Sequence, residues 1–255
     1  MATRELNGAV ALVTGAGRGI GRALAQAFAA EGARVVAVSR TASDLESLGC
    51  SYRVCDVSDA DQVRQLADWV RAEYGRVDVL VNNAGLRMIH VGPRSGYKVF
   101  VEELPVEDWD RMLAVNLRGP FLMCKLLLPL MKAAGSASVV NISAGGGSQG
   151  QPGRAPYCAS KFGLEALTQC LAAEWRPYNI AVNSLAPGVS VFTDDIKREL
   201  RRRDPSLKHA RPEMMAPPAL FLACQDPSGL TGQRVVAWDW LRERGLGGWD
   251  RWLAE

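Results

Sequence analysis

Histidine is scarce in this 255-residue chain; only His90 and His209 occur, far apart. The six cysteines, Cys50, Cys55, Cys124, Cys158, Cys170 and Cys224, include no CxxC pair. Zinc takes closely spaced Cys and His ligands, so no metal site is expected. Scattered thiols fit a reduced, cytoplasmic protein in which most cysteines fill the core. The opening MATRELNGAV lacks the apolar stretch of a secretory leader. The most apolar later run, FLMCKLLLPLM, is short and carries Lys125, so no membrane span is expected. Charge is nearly balanced, with 30 Lys and Arg against 27 Asp and Glu. A net +3 gives no electrostatic footprint for a nucleic-acid partner. Repeats, linkers and low-complexity segments are also lacking. The hydrophobic fraction, 48%, and the charged fraction, 22%, suit one large packed domain.

Short β-branched runs alternate with helical patterns along the chain. VALVTG (10–15) reads as a buried strand. GIGRALAQAFAAEG then sets Ile20, Leu24, Ala27 and Phe28 on one helical face, with Gly32 as its stop. ARVVAVSR and SYRVCDVSD supply two more strands. Ser58 or Asp59 can cap the helix that follows, in which Val63, Leu66, Ala67 and Val70 recur at helical spacing. VDVLVNNAG is a fourth strand, followed by an irregular stretch and one long helix from about Glu107 to Lys132. ASVVNIS, IAVNSLAPG and GQRVVAW are further strands, the first two separated by the helix YCASKFGLEALTQCLAAEW. Repeated strand–helix units predict an α/β fold, a parallel β-sheet with helices on both faces, in a single domain.

TGAGRGIG sits between the first strand and the first helix. Glycines there let the backbone turn tightly against a pyrophosphate, and the helix start offers free N–H groups to its oxygens. Gly15, Arg18, Gly19, Ile20 and Gly21 are therefore dinucleotide-binding candidates. The second strand ends in Ser39, Arg40 and Thr41, with no acid to hold ribose hydroxyls. A guanidinium beside two hydroxyls suits a 2′-phosphate, which favours NADP(H) while leaving NAD(H) possible. Asp56 either accepts from the adenine amino group or caps the next helix.

TGAGRGIG, CDV, NNAG (82–85), VNL with Asn116, YCASK (157–161) and NSLAPG (183–188) stand in the order found in the short-chain dehydrogenase/reductases. The chain resembles that family from about residue 7 to residue 237. Its VVAVSRT segment looks like the family's NADP-preferring carbonyl reductases. The resemblance implies a Rossmann-type, doubly wound fold and hydride transfer between a nicotinamide cofactor and a small carbonyl or alcohol, in a homo-oligomer, tetramer or dimer. It assigns Tyr157 as general acid and Lys161 as the cation that lowers its pKa and holds the nicotinamide ribose. Asn116 would anchor a water leading to Lys161. Asp56 with Val57, Asn82, Ala84 and Gly85 would line the cofactor, and Pro187, Gly188 and the backbone through Ser190 would seat the nicotinamide. The i, i+4 spacing puts Tyr157 and Lys161 on one helix face.

The chain also departs from the family. The usual serine thirteen residues before the tyrosine is Ala144. Ser143 can replace it if a bulge at the strand end turns its side chain, and this is the preferred reading. Ser148 can instead fold back on the Gly145–Gly147 hinge, or Tyr157 can act alone. Residues 86–106 form a longer loop than usual, containing Arg94, Tyr97, Lys98 and Phe100. Residues 189–215 correspond to a substrate lid and include a basic run. The 238–255 tail holds Trp238, Trp240, Trp249 and Trp252, and is expected to pack on a neighbouring subunit or close over a substrate pocket. The alternatives to an oxidoreductase are a dinucleotide-binding regulator with little turnover, motivated by Ala144, and a cofactor-assisted epimerase or isomerase.

Overall fold

The computed structural model describes residues 5–90, 98–193 and 208–254. Seven parallel strands form one sheet in the order β3-β2-β1-β4-β5-β6-β7. They are β1 Val10–Thr14, β2 Arg34–Ser39, β3 Ser51–Val54, β4 Val79–Asn82, β5 Ala137–Ile142, β6 Ile180–Ala186 and β7 Arg234–Val236. The central strands are buried on both faces, which explains their unbroken apolar runs. Their residues still alternate. Leu12, Val36, Leu80, Val139 and Val182 enter one core, while Val13, Ala37, Val81, Val140 and Leu185 enter the other.

The first core is covered by α3 Ala60–Tyr74, α4 Val106–Leu113, α5 Gly119–Ala133 and α6 Ala155–Trp175. The second is covered by α1 Gly19–Ala30, α7 Ala216–Ala223 and the tail helices α8 Ala237–Glu243 and α9 Trp249–Trp252. The short α2, Ser43–Glu46, was not expected from sequence. Fully buried side chains such as Phe28 and Leu127 each contribute about 1.5–3 kcal/mol by leaving water. Asp59 caps α3, accepting from the N–H groups of Asp61 and Gln62 at 2.9 and 3.1 Å, and Gly75 ends it in the left-handed conformation.

The long helix runs from Val106 to Ala133, but a π turn at Ala114–Arg118 separates α4 from α5. By length and composition this 28-residue helix could cross a bilayer, contrary to the expectation from its shorter apolar run. Here Met112, Leu122, Met123, Leu127, Leu130 and Met131 are buried in the first core.

The tail folds onto its own chain. Trp252 is buried and its indole N–H donates to Leu246 O at 2.7 Å. Trp238 stacks on Trp249 with ring centroids 4.7 Å apart, and Trp240 meets Phe221 of α7 at 5.4 Å. Ala210 bridges Val191 on one side and Leu253 on the other, tying the tail to both described ends of the expected lid. Most of that lid, and Arg94 and Tyr97 of the long loop, lie outside the described residues. The near end of the loop packs on the turn before α6, where Val99 N donates to Gly153 O at 2.8 Å.

Candidate active site

Strand order reverses between β1 and β4, and a cleft of about 870 Å³ opens at the carboxyl ends of the strands there. Thr14 joins the two strands: its Oγ1 donates to Val81 O at 3.2 Å and accepts from Asn83 N and Ala84 N at 2.9 and 3.0 Å. Asn83 returns the contact, its amide donating to Thr14 O and Gly15 O at 2.9 and 3.1 Å. This pins the glycine turn against the NNAG segment. Gly15 has φ +64°, and a Cβ on Gly21 would sit 2.1 Å from Gly15 O. Only glycine fits at Gly21 without moving the backbone.

The start of α1 has no side-chain cap, so its first N–H groups are left for a ligand. A glycine cradle, an uncapped helix start and a basic strand end fit a phosphate-rich dinucleotide. At the far end Arg40 Nη1 lies 3.8 Å from Asp56 Oδ2, beside Ser39 and Thr41. Asp56 does not cap α3. Its Oδ1 accepts from Ser58 N and Oγ at 2.9 and 2.6 Å, and the residue faces the cleft.

All but two of the sequence-derived site residues line this cleft. The exceptions are Asn82 and Asn116. Asn82 is buried behind it, donating to Asn141 Oδ1 at 2.9 Å, and it is Asn83 that lines the cleft. Asn116 sits in the π turn. Its Oδ1 accepts from Leu86 N at 2.6 Å and its amide donates to Leu86 O and Ser160 Oγ at 3.0 and 3.1 Å. The side chain thus anchors the loop after Gly85 to α6.

Tyr157 and Lys161 share a face of α6 and both line the cleft. A Cβ on Gly146 would stand 3.2 Å from the Tyr157 ring, so the glycine run lets the turn lie flat on the phenol. Lys161 Nζ donates to Ile142 O at 2.8 Å, leaving two further N–H groups. Burial pushes the Tyr157 phenol up, and the charges of Arg87 and Arg154 oppose that rise. Burial, then Arg87, pull Lys161 down to about 8, while Glu165 pushes it up. Desolvation of the phenolate dominates, and the opposing cations are arginines.

The serine question has a geometric answer. β5 holds regular register with β6 through Ile142, and Ser143 N still donates to Leu185 O at 2.9 Å. The strand has no bulge to turn Ser143. Its hydroxyl donates to Glu165 Oε1. Glu165 also accepts from Ser184 Oγ at 2.5 Å and pairs with Arg234 Nε at 3.1 Å. Arg234 in turn donates to Ala144 O at 3.1 Å, fixing the residue where the serine was expected. Ser148 is exposed and does not line the cleft. No described residue of the tail lines it either, so the tail does not close over the site.

Sequence reasoning missed Asn83, Arg87, Arg111, Gln151 and Arg154 as lining residues. Asn83 was adjacent to a motif already noted. The others had no signal, because their proximity depends on how three separate segments fold together.

Taken together, a glycine-turn dinucleotide cleft with a Tyr–Lys pair at its other end defines an oxidoreductase site on a Rossmann-type scaffold. A profile of the short chain dehydrogenase family matches residues 9–204, and the chain belongs to that family. It is 38% identical to D-threitol dehydrogenase of Mycolicibacterium smegmatis, over 91% of this chain and 92% of that one. It is 37% identical to the 3-oxoacyl-[acyl-carrier-protein] reductase of Thermotoga maritima, over 91% of this chain and 96% of that one. Among solved structures, a Beutenbergia cavernae protein assigned as a NAD(P) dependent gluconate 5-dehydrogenase, with NADP bound at low occupancy, superimposes with a TM-score of 0.78. It is 34% identical, over 91% of this chain and 96% of that one. The chain is accordingly an enzyme, an NAD(P)-dependent oxidoreductase transferring hydride between nicotinamide and a carbonyl or alcohol. The regulator and epimerase alternatives find no support among these relatives.

Proposed function

We propose that the protein is an NADP(H)-preferring dehydrogenase/reductase of a small hydroxy or oxo compound, with Tyr157 as its proton-transferring group. The carrying observation is that Tyr157, Lys161, the glycine turn and Arg40 all line one cleft. Gly15, Gly19 and Gly21 with the start of α1 hold the pyrophosphate. Arg40, flanked by Ser39 and Thr41, grips a 2′-phosphate. The nicotinamide, when bound, supplies or accepts the hydride. Tyr157, held protonated at neutral pH by burial, donates to the carbonyl oxygen in reduction. Lys161 holds the nicotinamide ribose with the N–H groups not used on Ile142 O. Ser143 supports the strand end through Glu165, and Tyr157 works without a serine hydroxyl.

A homotetramer or dimer is supported by the half-exposed rings of Phe121 on α5 and Phe162 on α6. Light scattering of purified protein reads that state. Six free thiols suit a cytoplasmic setting.

The deciding experiment titrates the protein with NADPH and NADH, following nicotinamide fluorescence. NADPH should bind about tenfold or more tightly than NADH, and Arg40→Leu should remove that preference. Equal or tighter NADH binding by wild type would refute the Arg40 assignment.

A further inference from the structure

One wall of the cleft is loop. Pro187, Gly188, Ser190 and Thr193, which follow β6, line it, and His209 joins them from a later segment. The first of these residues are the ones on which the family resemblance seats the nicotinamide. A loop has no ladder of its own, so its backbone groups must find partners elsewhere. Here many of those partners lead to the tryptophan-rich tail.

Three short segments lie side by side. Ala210 N donates to Ser190 O and Phe192 N donates to Ala210 O, both at 2.8 Å. On the other side Arg211 N donates to Trp252 O at 2.7 Å, and Ala254 N donates to His209 O at 2.8 Å. Residues 209–211 are therefore a middle strand, parallel to the wall at Val191 and antiparallel to the tail at Leu253. Side chains alternate along it. Val191 and Ala210 are buried in the second core, while their neighbours Ser190 and His209 line the cleft, with Ser190 Oγ and His209 Nδ1 2.9 Å apart.

The tail meets the wall a second time. Trp238 N donates to Pro187 O at 3.1 Å. A Cβ on Gly188 would stand 2.5 Å from Val236 Cγ1 and 3.1 Å from Trp238 Cβ, so the wall lies directly on the start of α8. The two contacts belong to one unit, because Trp238 packs on Trp249 and the Trp252 indole N–H holds Leu246 O. Arg211 Nη2 adds a bond to Arg251 O at 2.6 Å. Two paired strands alone are marginal in water, and a third makes the arrangement stable. Trp252–Ala254 supplies that third strand.

We propose that Trp252–Ala254 is a positioning strand for the nicotinamide wall. Through His209–Arg211 it fixes Ser190 and His209, and it thereby sets how tightly the nicotinamide half of the dinucleotide is held, without lining the cleft. The proposal rests on the dinucleotide reading given above.

The test uses substitutions that the backbone already suits. Arg211 has φ −65°, and Leu253, at φ −62° and ψ 133°, accepts a proline after it. Arg211→Pro combined with Ala254→Pro removes both N–H groups that join the tail to the middle strand. Arg211→Ala combined with Ala254→Gly keeps both and is the control. NADPH and adenosine 2′,5′-bisphosphate, which has no nicotinamide, are titrated by calorimetry into wild type and both double variants. The proline protein should bind NADPH about tenfold more weakly and the bisphosphate within about twofold of wild type, while the control matches wild type for both. Retained bisphosphate binding shows that the variant is folded. In the free proline protein the Ala210 and Phe192 amides should exchange hydrogen about tenfold faster than in the control. The proposal is overturned if the proline protein binds NADPH as tightly as the control, if both ligands weaken equally, or if the two amides exchange at the control rate. If wild type binds neither ligand, the dinucleotide reading falls instead, and the exchange rates alone decide whether the tail positions Ser190 and His209.

Discussion

The two ends of the cleft are made of different material. At the dinucleotide end the contacts are backbone: a glycine turn, uncapped N–H groups of α1, and a strand end bearing Arg40. At the catalytic end they are side chains brought from the loop after β4, the π turn, the end of β5 and the start of α6. A backbone site is written in consecutive residues and constrains them tightly. A side-chain site is written in residues far apart, and its members are individually ordinary. The first end should therefore be intolerant of small changes in shape. The second should respond to chemistry while its fold stays intact.

The sharpest test of that contrast is Tyr157→Phe. Removing one hydroxyl at the catalytic end should slow turnover by about three orders of magnitude and leave NADPH affinity unchanged. Stopped-flow or steady-state turnover beside a binding titration reads both. A variant that lost cofactor affinity equally would show that the two ends are not separable. Gly21→Ala is the counterpart at the other end. Its Cβ would overlap Gly15 O, so the turn must shift. NADPH should bind about tenfold or more weakly, and thermal unfolding should register a loss of about 1–3 kcal/mol.

Lys161→Met gives a smaller effect with a defined pH signature. The folded pKa, about 8, is below the ordinary value of 10.5, so charging this lysine costs folding stability. That cost is fully present below pH 8 and disappears as pH rises toward 10.5. The variant should be more stable than wild type at pH 7, and its advantage should fade across that window in denaturant melts. A constant difference across the window would place the lysine in a more polar setting than its burial implies. The smallest effect is expected for Ser143→Ala: turnover should change about threefold or less, with a stability loss of about 1 kcal/mol from the bond to Glu165. A roughly hundredfold fall in turnover would restore Ser143 as a group acting on the substrate.

The contrast also explains what could be read from sequence. Strand positions, the parallel sheet and the glycine turn follow from apolar runs and local spacing, and they were legible in VALVTG, VDVLVNNAG and TGAGRGIG; the strand order was not. Tyr157 and Lys161 were legible through the YCASK motif and its resemblance to the family, their i, i+4 spacing adding only that they share a helix face. The fate of Ser143 was not, since it depends on Glu165, 22 residues away, and through it on Arg234. Arg87 and Arg154 were illegible for the same reason. The tryptophans of the tail were legible only as bulk. Their bulk was read as an intersubunit or lid surface; within the chain Trp238 packs on Trp249 and Trp240 on Phe221, contacts that the sequence did not show.

The π turn at Ala114–Arg118 has a consequence for how such a site can be lost. A π turn amounts to one extra residue within an α-helix. Deleting a single codon there would let α4 and α5 join as an uninterrupted α-helix, a conformation the backbone accepts readily. The flanking helices would keep their register, because the π turn takes up its extra residue locally, while the residues inside the turn would take new places around the axis. Asn116 would swing away from Leu86 and Ser160, and the loop after Gly85 would lose its anchor. A three-nucleotide deletion could thus uncouple this loop from α6 while the sheet remains. In a lineage, that is a short mutational route from enzyme to empty scaffold, and a reinsertion at the same place is the route back.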